Sequence, residues 1–338
     1  MDVRNLAVIG LGNVGSALVA LLEERGQQIR DEYGLDLRIT GVMSRRIGMV
    51  ADPDGLTLRA LAEGDVPEGE PYSVDGIGAW LERCRADVLV ELSPLDIEQG
   101  EPATSFLRAA IERGVHGVTA NKGPVVHALR ELTALADENG LRFRFESATA
   151  DCLPVYTLYR ESLPLERPHR VRGLVNGTTS VILELMALGR SFEEGVRLAQ
   201  ARGIAEADPS LDVDGLDAAV KIVAIANVLM GADLRLGDVD VTGIRALDAG
   251  AVQYQASIGA PLRLVATTER GADGVVRARV APEPVAAGDP LHGLGLLDLG
   301  LHFDGDLMPG LTVVGRDLEP RQTAYGVLVD VLGVLRGR

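Results

Sequence analysis

Cysteine is nearly missing from this chain, whose 338 residues hold only Cys84 and Cys152 and no CxxC pair. That excludes a disulfide framework, speaks against a thiolate zinc site, and predicts that both thiols are reduced. Aromatic residues are scarce as well, at 4% against 46% hydrophobic residues overall. The apolar content is therefore aliphatic, which suits buried parallel strands and helices better than an aromatic-rich β-sandwich. Long apolar runs are lacking too. The longest nearly apolar stretch, Ala218 to Met230, contains Lys221 and falls short of the ~20 residues needed to span a bilayer, so it reads as a buried helix and no membrane partner is expected. Basic charge is in deficit: the formal net charge is -16, and no basic run relieves it, so nucleic acid is not an expected partner. The N-terminal Met1-Asp2-Val3-Arg4 leads into no secretory signal pattern, and the expected location is cytoplasmic. There is no fixed-period repeat and no low-complexity tract.

What is present is an alternation. The length exceeds the ~250–300 residues that one hydrophobic core usually supports, which predicts two parts. In the first half, strand candidates at Leu6–Ile9, Leu37–Met43, Val88–Leu92, Val115–Thr119 and Leu141–Phe145 alternate with helical stretches at Val14–Arg25, Pro102–Arg113 and Pro124–Asn139. This is the pattern of βαβ units wound into a parallel sheet. Between Ser44 and Ser73, Gly, Pro and acidic residues predict surface loops around one short helix. After Glu146 the pattern becomes a less regular mixture, with strands near Arg170–Val175, Leu262–Thr268 and Val275–Val280 and two helices between. The final Thr323–Arg336 stretch has a helical spread of Val and Leu that can pack back on the first part. The expected fold is α/β: an N-terminal Rossmann-type doubly wound parallel sheet over 1–147, a second mixed α/β domain over 148–310, and a returning C-terminal segment over 311–338.

Gly10-Leu11-Gly12-Asn13-Val14-Gly15 follows a strand and opens a helix. In that context the first glycine permits a tight turn, the second lets the backbone approach a pyrophosphate, and the third allows close helix–strand packing. A plain glycine-rich turn is the alternative, and the order of elements favours dinucleotide binding. An NAD-selective site would place Asp or Glu after the second strand, whereas this chain offers Ser44-Arg45-Arg46. Arginine there favours a 2′-phosphate and hence NADP, with NAD as the alternative if both arginines merely solvate a loop.

The acidic loop from Gly203 leads into an apolar helix on which Asp217 and Lys221 stand four residues apart, among Val220, Ile222, Val223 and Ile225. Spacing puts the pair on one face. Burial lowers a lysine pKa and a neighbouring carboxylate raises it, so the pair suits proton transfer in reversible alcohol oxidation. An ordinary solvated i,i+4 ion pair is the alternative, but it leaves the apolar surroundings unexplained. Lys122 follows the Val115–Thr119 strand at the carboxyl end, where open parallel sheets place ligands, although a solvent-facing loop lysine has the same appearance.

Three spaced stretches, Val118-Thr119-Ala120-Asn121-Lys122-Gly123-Pro124, Gly173-Leu174-Val175-Asn176-Gly177-Thr178-Thr179, and the acidic run through Lys221, give the chain its resemblance to homoserine dehydrogenase. The similarity extends through Val241-Thr242-Gly243-Ile244, in the short form without a C-terminal regulatory domain. It implies reversible NAD(P)-dependent interconversion of L-homoserine and L-aspartate 4-semialdehyde, in threonine and methionine biosynthesis, by a homodimer formed through the second domain. It also implies roles: Lys221 as proton donor to the carbonyl oxygen, Lys122 assisting proton transfer and substrate binding, and Asp217 orienting Lys221. Glu206 and Asp212 would hold the substrate amino group and its surroundings, with Asn176, Gly177 and Thr178 bordering substrate and nicotinamide. The implied cofactor contacts are Gly10, Gly12, Asn13, Val14, Gly15, Arg45, Arg46, Ser93 and Lys122. A monovalent cation, usually sodium in the family, would sit at Glu146, Thr149, Asp151 and Leu153.

Two departures stand out. The family's glycine-rich loop reads Thr149-Ala150-Asp151-Cys152-Leu153-Pro154 here, and its C-terminal glycine-rich turn over the cofactor reads Gly315-Arg316-Asp317-Leu318-Glu319-Pro320. Lost glycines restrict the backbone angles open to both segments. They leave two rivals to the main reading: a paralogue acting on another small amino-acid aldehyde or ketone, and a catalytically silent dinucleotide-binding protein. Cys152 itself reads as a small packing residue.

Overall fold

The computed structural model describes residues 1–337. They divide into two compact units, one of Met1–Pro154 with the segment from Glu319 onward, the other of Val155–Leu318. The first unit runs β1 (Asp2–Ile9), α1 (Asn13–Tyr33), β2 (Leu35–Ser44), β3 (Gly48–Ala51), α2 (Leu58–Glu63), α3 (Ile77–Cys84), β4 (Val88–Glu91), α4 (Ala103–Ile111), β5 (His116–Thr119), α5 (Lys122–His127), α6 (Leu129–Glu138) and β6 (Phe143–Arg144), and ends in a C-terminal helix (Pro320–Leu335). Its sheet has the order β3-β2-β1-β4-β5-β6. β1, β2, β4, β5 and β6 are parallel.

Strand alternation explains why helices cover both faces. Leu6 and Val8 of β1 face a core with Leu18 and Leu22 of α1 and Val327 and Val331 of the C-terminal helix. Ala7 and Ile9 face the opposite core, with Trp80, Phe106, Leu107 and Leu132. The doubly wound sheet is thus present, with one difference from the expectation of an all-parallel sheet. Gly48–Ala51, in the stretch read as loops, turns back as β3 and pairs antiparallel with β2. Gly48, at φ 81°, makes that reversal possible. The expected short helix is α2, but α3 had no clear pattern. The single helix expected over Pro124–Asn139 is broken at Ala128, whose φ of -137° ends α5 before α6 begins. α1 runs past Arg25 and stops only at Gly34, a left-handed C-cap whose N–H donates to Arg30 O.

The second unit runs α7 (Val155–Thr157), β7 (Pro168–Leu174), α8 (Gly177–Ala187), α9 (Phe192–Ala201), α10 (Ser210–Val213), α11 (Leu216–Leu229), β8 (Val239–Val241), α12 (Ala249–Ser257), β9 (Leu262–Arg270), β10 (Val276–Pro284), β11 (Leu299–Gly305) and β12 (Leu311–Gly315). The sheet order is β12-β11-β7-β9-β10-β8. Its pairs are antiparallel except β8 on β10. The three expected strands are β7, β9 and β10. More than two helices lie between β7 and β9, and β11 has no clear strand pattern because Gly300 and Gly305 break its hydrophobic signal. Among the described residues, no helix is long and apolar enough to cross a membrane.

Two helical glycines in the first unit respond oppositely to a methyl group. Around Gly26 of α1, an added Cβ meets only the Arg30 guanidinium, at 3.5 Å, an ordinary van der Waals contact. At Gly326 of the C-terminal helix it overlaps Ser147 Oγ, with the Cys152 Cα at 3.1 Å and the Asp151 carbonyl at 3.3 Å behind it. We expect Gly26→Ala to stabilise by about 0.5–1 kcal/mol, the helix-propensity gain. Gly326→Ala should instead destabilise by about 1–3 kcal/mol, because overpacking outweighs that gain. Thermal midpoints moving in the same direction for both variants would contradict the packing described here.

Candidate functional site

The glycine loop of the first unit is built for close approach. Gly10 sits at φ 95°, and a Cβ there would overlap Leu92 O, while a Cβ on Gly15 would overlap Gly10 O. Both glycines are therefore required by packing between β1, β4 and α1. Gly12 differs, because no atom lies within 4 Å of the position its Cβ would take, so the space before it is open. Gly12 is also the N-cap of α1, with no side-chain cap and no acidic residue in the first turn at Asn13 and Val14. The first-turn N–H groups and the positive end of the helix dipole are thus left for an anion. At the neighbouring strand end, Ser93 Oγ is buried without a hydrogen-bond partner. An open cradle, an uncapped helix and an orphaned hydroxyl fit a dinucleotide. Arg45 and Arg46 lie exposed in the turn between β2 and β3, and among the described residues neither forms an ion pair.

Lys122 is half-buried at the first position of α5. Its neighbour Asn121 caps that helix, with Oδ1 accepting from Gly123 N at 2.9 Å. One strand away, Glu91 closes β4 as a fully buried carboxyl whose pKa is pushed up by burial. Sequence reasoning passed over Glu91, although an acid ending the apolar run Val-Leu-Val was a visible signal.

The 146–153 segment lies against the C-terminal helix. Glu146 N donates to Asp330 Oδ2 at 2.7 Å, Ser147 Oγ to Thr323 O at 2.9 Å, and Thr323 Oγ1 to Asp151 Oδ1 at 2.8 Å. Glu146, Thr149 and Leu153 are all buried, and Thr149 Oγ1 is without a partner. Asp151 adopts φ 52° and Asp317 φ 49°. Both segments in which glycine was expected thus keep a left-handed residue, supplied by an aspartate, which tolerates that region better than most side chains. In the second unit Asp298, 5% exposed, supports that turn by accepting from Arg316 Nη1 at 3.1 Å and Asp317 N at 3.4 Å.

The second unit brings four of the named residues together. Lys221 Nζ lies 2.7 Å from Asp217 Oδ2 and donates to Val175 O at 2.6 Å. Their side chains are only 15% and 17% exposed. Asn176 Nδ2 donates to Asp212 Oδ1 at 2.6 Å and to Asp217 Oδ2 at 3.1 Å, while Oδ1 accepts from Thr179 N as the cap of α8. Asn176 is therefore a bridge between two carboxylates, a role the sequence did not reveal. Burial pushes the Asp212 carboxyl up, reinforced by nearby Asp217 and opposed by the Asn176 hydrogen bond and the Lys221 charge. Gly177 begins α8, and Thr178 Oγ1 donates to Ile204 O at 3.2 Å. Glu206 is exposed on the loop that follows Ile204, where the carbonyls of Glu206 and Ala207 accept from Gln200 Nε2.

Comparison with known proteins gives the arrangement a family. The NAD-binding domain model of homoserine dehydrogenase matches residues 10–146, and the homoserine dehydrogenase model matches residues 154–332. An NAD(+)-dependent homoserine dehydrogenase of Pseudomonas canavaninivorans is 36% identical over 99% of this chain and 97% of its own length. A crystal structure from Archaeoglobus fulgidus, provisionally described as a homoserine dehydrogenase, superposes with a TM-score of 0.85 at 30% identity, covering 98% of this chain and 99% of that one. A hyperthermophilic archaeal homoserine dehydrogenase mutant in complex with NADPH gives 0.84 at 25% identity, covering 99% and 98%. With both models matched across nearly its whole length, the chain belongs to the homoserine dehydrogenase family, NAD(P)-dependent oxidoreductases that act on a CH–OH group.

Proposed function

We propose that this chain interconverts L-homoserine and L-aspartate 4-semialdehyde with Lys221 as the group that moves the proton. The observation that carries the reading is the Lys221 ammonium, largely withdrawn from water and held between Asp217 and the Val175 carbonyl. In the reducing direction Lys221 Nζ gives a proton to the aldehyde oxygen as the carbon gains a hydride. In the oxidising direction it recovers that proton from the hydroxyl. When bound, the nicotinamide ring supplies or takes up the hydride. Asp217 holds the amine in place, and Asn176 keeps Asp217 and Asp212 in fixed register. Asp212 and Glu206 supply negative charge for the substrate ammonium, Gly177 and Thr178 border the substrate, and Lys122 assists proton transfer. Similarity over nearly the whole chain favours this reading over a silent dinucleotide-binding protein or a reductase of other aldehydes.

The dinucleotide would be held by Gly10, Gly12, Asn13, Val14, Gly15 and Ser93, with Arg45 and Arg46 meeting a 2′-phosphate. The relatives point both ways, since one is named NAD(+)-dependent and another was solved with NADPH. The exposed arginine pair favours NADP here. A sodium ion would sit among Glu146, Thr149, Asp151 and Leu153, where the orphaned Thr149 hydroxyl offers an oxygen. Asp151, with its carboxylate taken up by Thr323, would contribute through its backbone. A cytoplasmic homodimer formed through the second unit completes the proposal, and exposed Tyr254 on α12 and Ile258 just after it support it.

Three outcomes follow for purified protein. Lys221→Ala should lower semialdehyde reduction by about 10²–10⁴-fold while NADPH binding, read by fluorescence titration, stays intact. Turnover at the parent rate would remove Lys221 from the reaction. Replacing Arg45 and Arg46 together by Ala should weaken NADP binding and leave NAD binding unchanged, so an equal effect on both cofactors would refute the 2′-phosphate assignment. Asp212→Asn should raise the thermal midpoint at neutral pH while weakening homoserine binding. Because folding raises the Asp212 pKa above its ordinary 3.8, the parent's stability is fullest below that value and falls as pH rises through the folded-state pKa. The stability advantage of the variant should therefore widen with pH over that window, and an advantage that shrank with pH would reverse the sign of this account.

A further inference from the structure

We propose that Glu91 is a positioning residue that fixes Lys122 through a closed ring of hydrogen bonds at the carboxyl ends of β4 and β5. The inference rests on the reading of Lys122 as a participant in proton transfer. The ring has four members. Glu91 Oε1 accepts from Ser93 N at 2.7 Å, and Ser93 O accepts from Asn121 Nδ2 at 3.1 Å. Asn121 N donates to Thr119 Oγ1 at 2.9 Å, and Thr119 Oγ1 donates to Glu91 Oε2 at 2.8 Å. Glu91 and Thr119 are fully buried and Asn121 is 5% exposed. Asn121 then caps α5 through Gly123 N, so Lys122 is set between two anchored residues. Gly100 and Gly123 add a backbone contact that no larger residue allows, since a Cβ on either would come within 2.8 Å of the other's backbone.

Strand pairing does not explain this ring. β4 and β5 are already in register through Glu91 and Thr119 by their backbones. Besides bonding each other, the side chains act beyond that last pair and reach the Ser93 and Asn121 segments. A carboxylate is a costly choice for a fully buried link, and burial favours its neutral form. What it offers is a rigid two-oxygen plate that receives one group from the Ser93 loop and one from the end of β5. A glutamine preserves the ring: its oxygen accepts from Ser93 N, and its amide donates to Thr119 Oγ1. The Thr119 hydroxyl then turns to the Glu91 main-chain oxygen, already 3.1 Å away.

The test is a double-mutant cycle on the full chain, with homoserine oxidation followed by reduction of NADP or NAD. Glu91→Ala should lower kcat by about ten- to a hundredfold in the parent, as misplacement of a catalytic group does. In the Lys122→Ala background it should cost less than about twofold, because the position it sets is then empty. Glu91→Gln should retain kcat within about threefold, since the ring persists. An equal factor for Glu91→Ala in both backgrounds would overturn the proposal and leave Glu91 a stabilising residue only. If Glu91→Ala fails to fold, Thr119→Val cuts the same ring at an isosteric position and is judged by the same criterion. If the parent oxidises no homoserine, or Lys122→Ala is as active as the parent, the functional reading itself fails and the Glu91 role falls with it. An active parent, an impaired Lys122→Ala and additive effects sink the Glu91 role alone.

Discussion

A single ammonium group, that of Lys221, sets the design of the second unit. α11 is buried along most of its length, and a lone cation on such a helix would carry a large desolvation cost. Asp217 offsets it one turn earlier, and the Val175 carbonyl offsets it from the end of β7. Those partners in turn constrain their surroundings. Asp217 and Asp212 need a neutral donor between them, which Asn176 provides, and Asn176 must also start α8. One amide thus links the placement of a helix to the charge state of the cluster.

The first unit solves a different problem by omission. Among the described residues no side chain caps the start of α1, and glycines keep side chains out of the way in front of it. Gly10 and Gly15 are dictated by packing, whereas Gly12 leaves a space. Tight packing and open space are thereby separated within six residues.

Much of this was legible in the sequence, for identifiable reasons. The parallel strands and the glycine loop carried strong local signals, since buried strands read as continuous aliphatic runs and the loop's spacing follows from the turn it must make. The Asp217–Lys221 spacing alone defines one helical face. What escaped depends on contacts distant in the chain. β3 lies in a stretch rich in Gly and Pro and is held by its hairpin with β2. The break at Ala128 has no proline to announce it. Asn176 as a bridge requires Asp212 and Asp217 to arrive from 36 and 41 residues away, and Glu91 gains its meaning only when Thr119 lies beside it. Side-chain networks closed by tertiary structure leave no periodic trace.

Asp151 and Asp317 hold left-handed backbone angles in segments where glycine was expected. Aspartate and glycine codons differ by one base, so a lineage can pass between the two residues in a single mutational step. In the first unit, Thr323 grips Asp151; in the second, Asp298 supports the turn at Asp317. Each bend is thus stored in its neighbours as well as in the residue that makes it. Drift at these sites can change charge and hydrogen bonding while conserving the path of the chain, so counting glycines underestimates how much of a family's shape a distant member has kept.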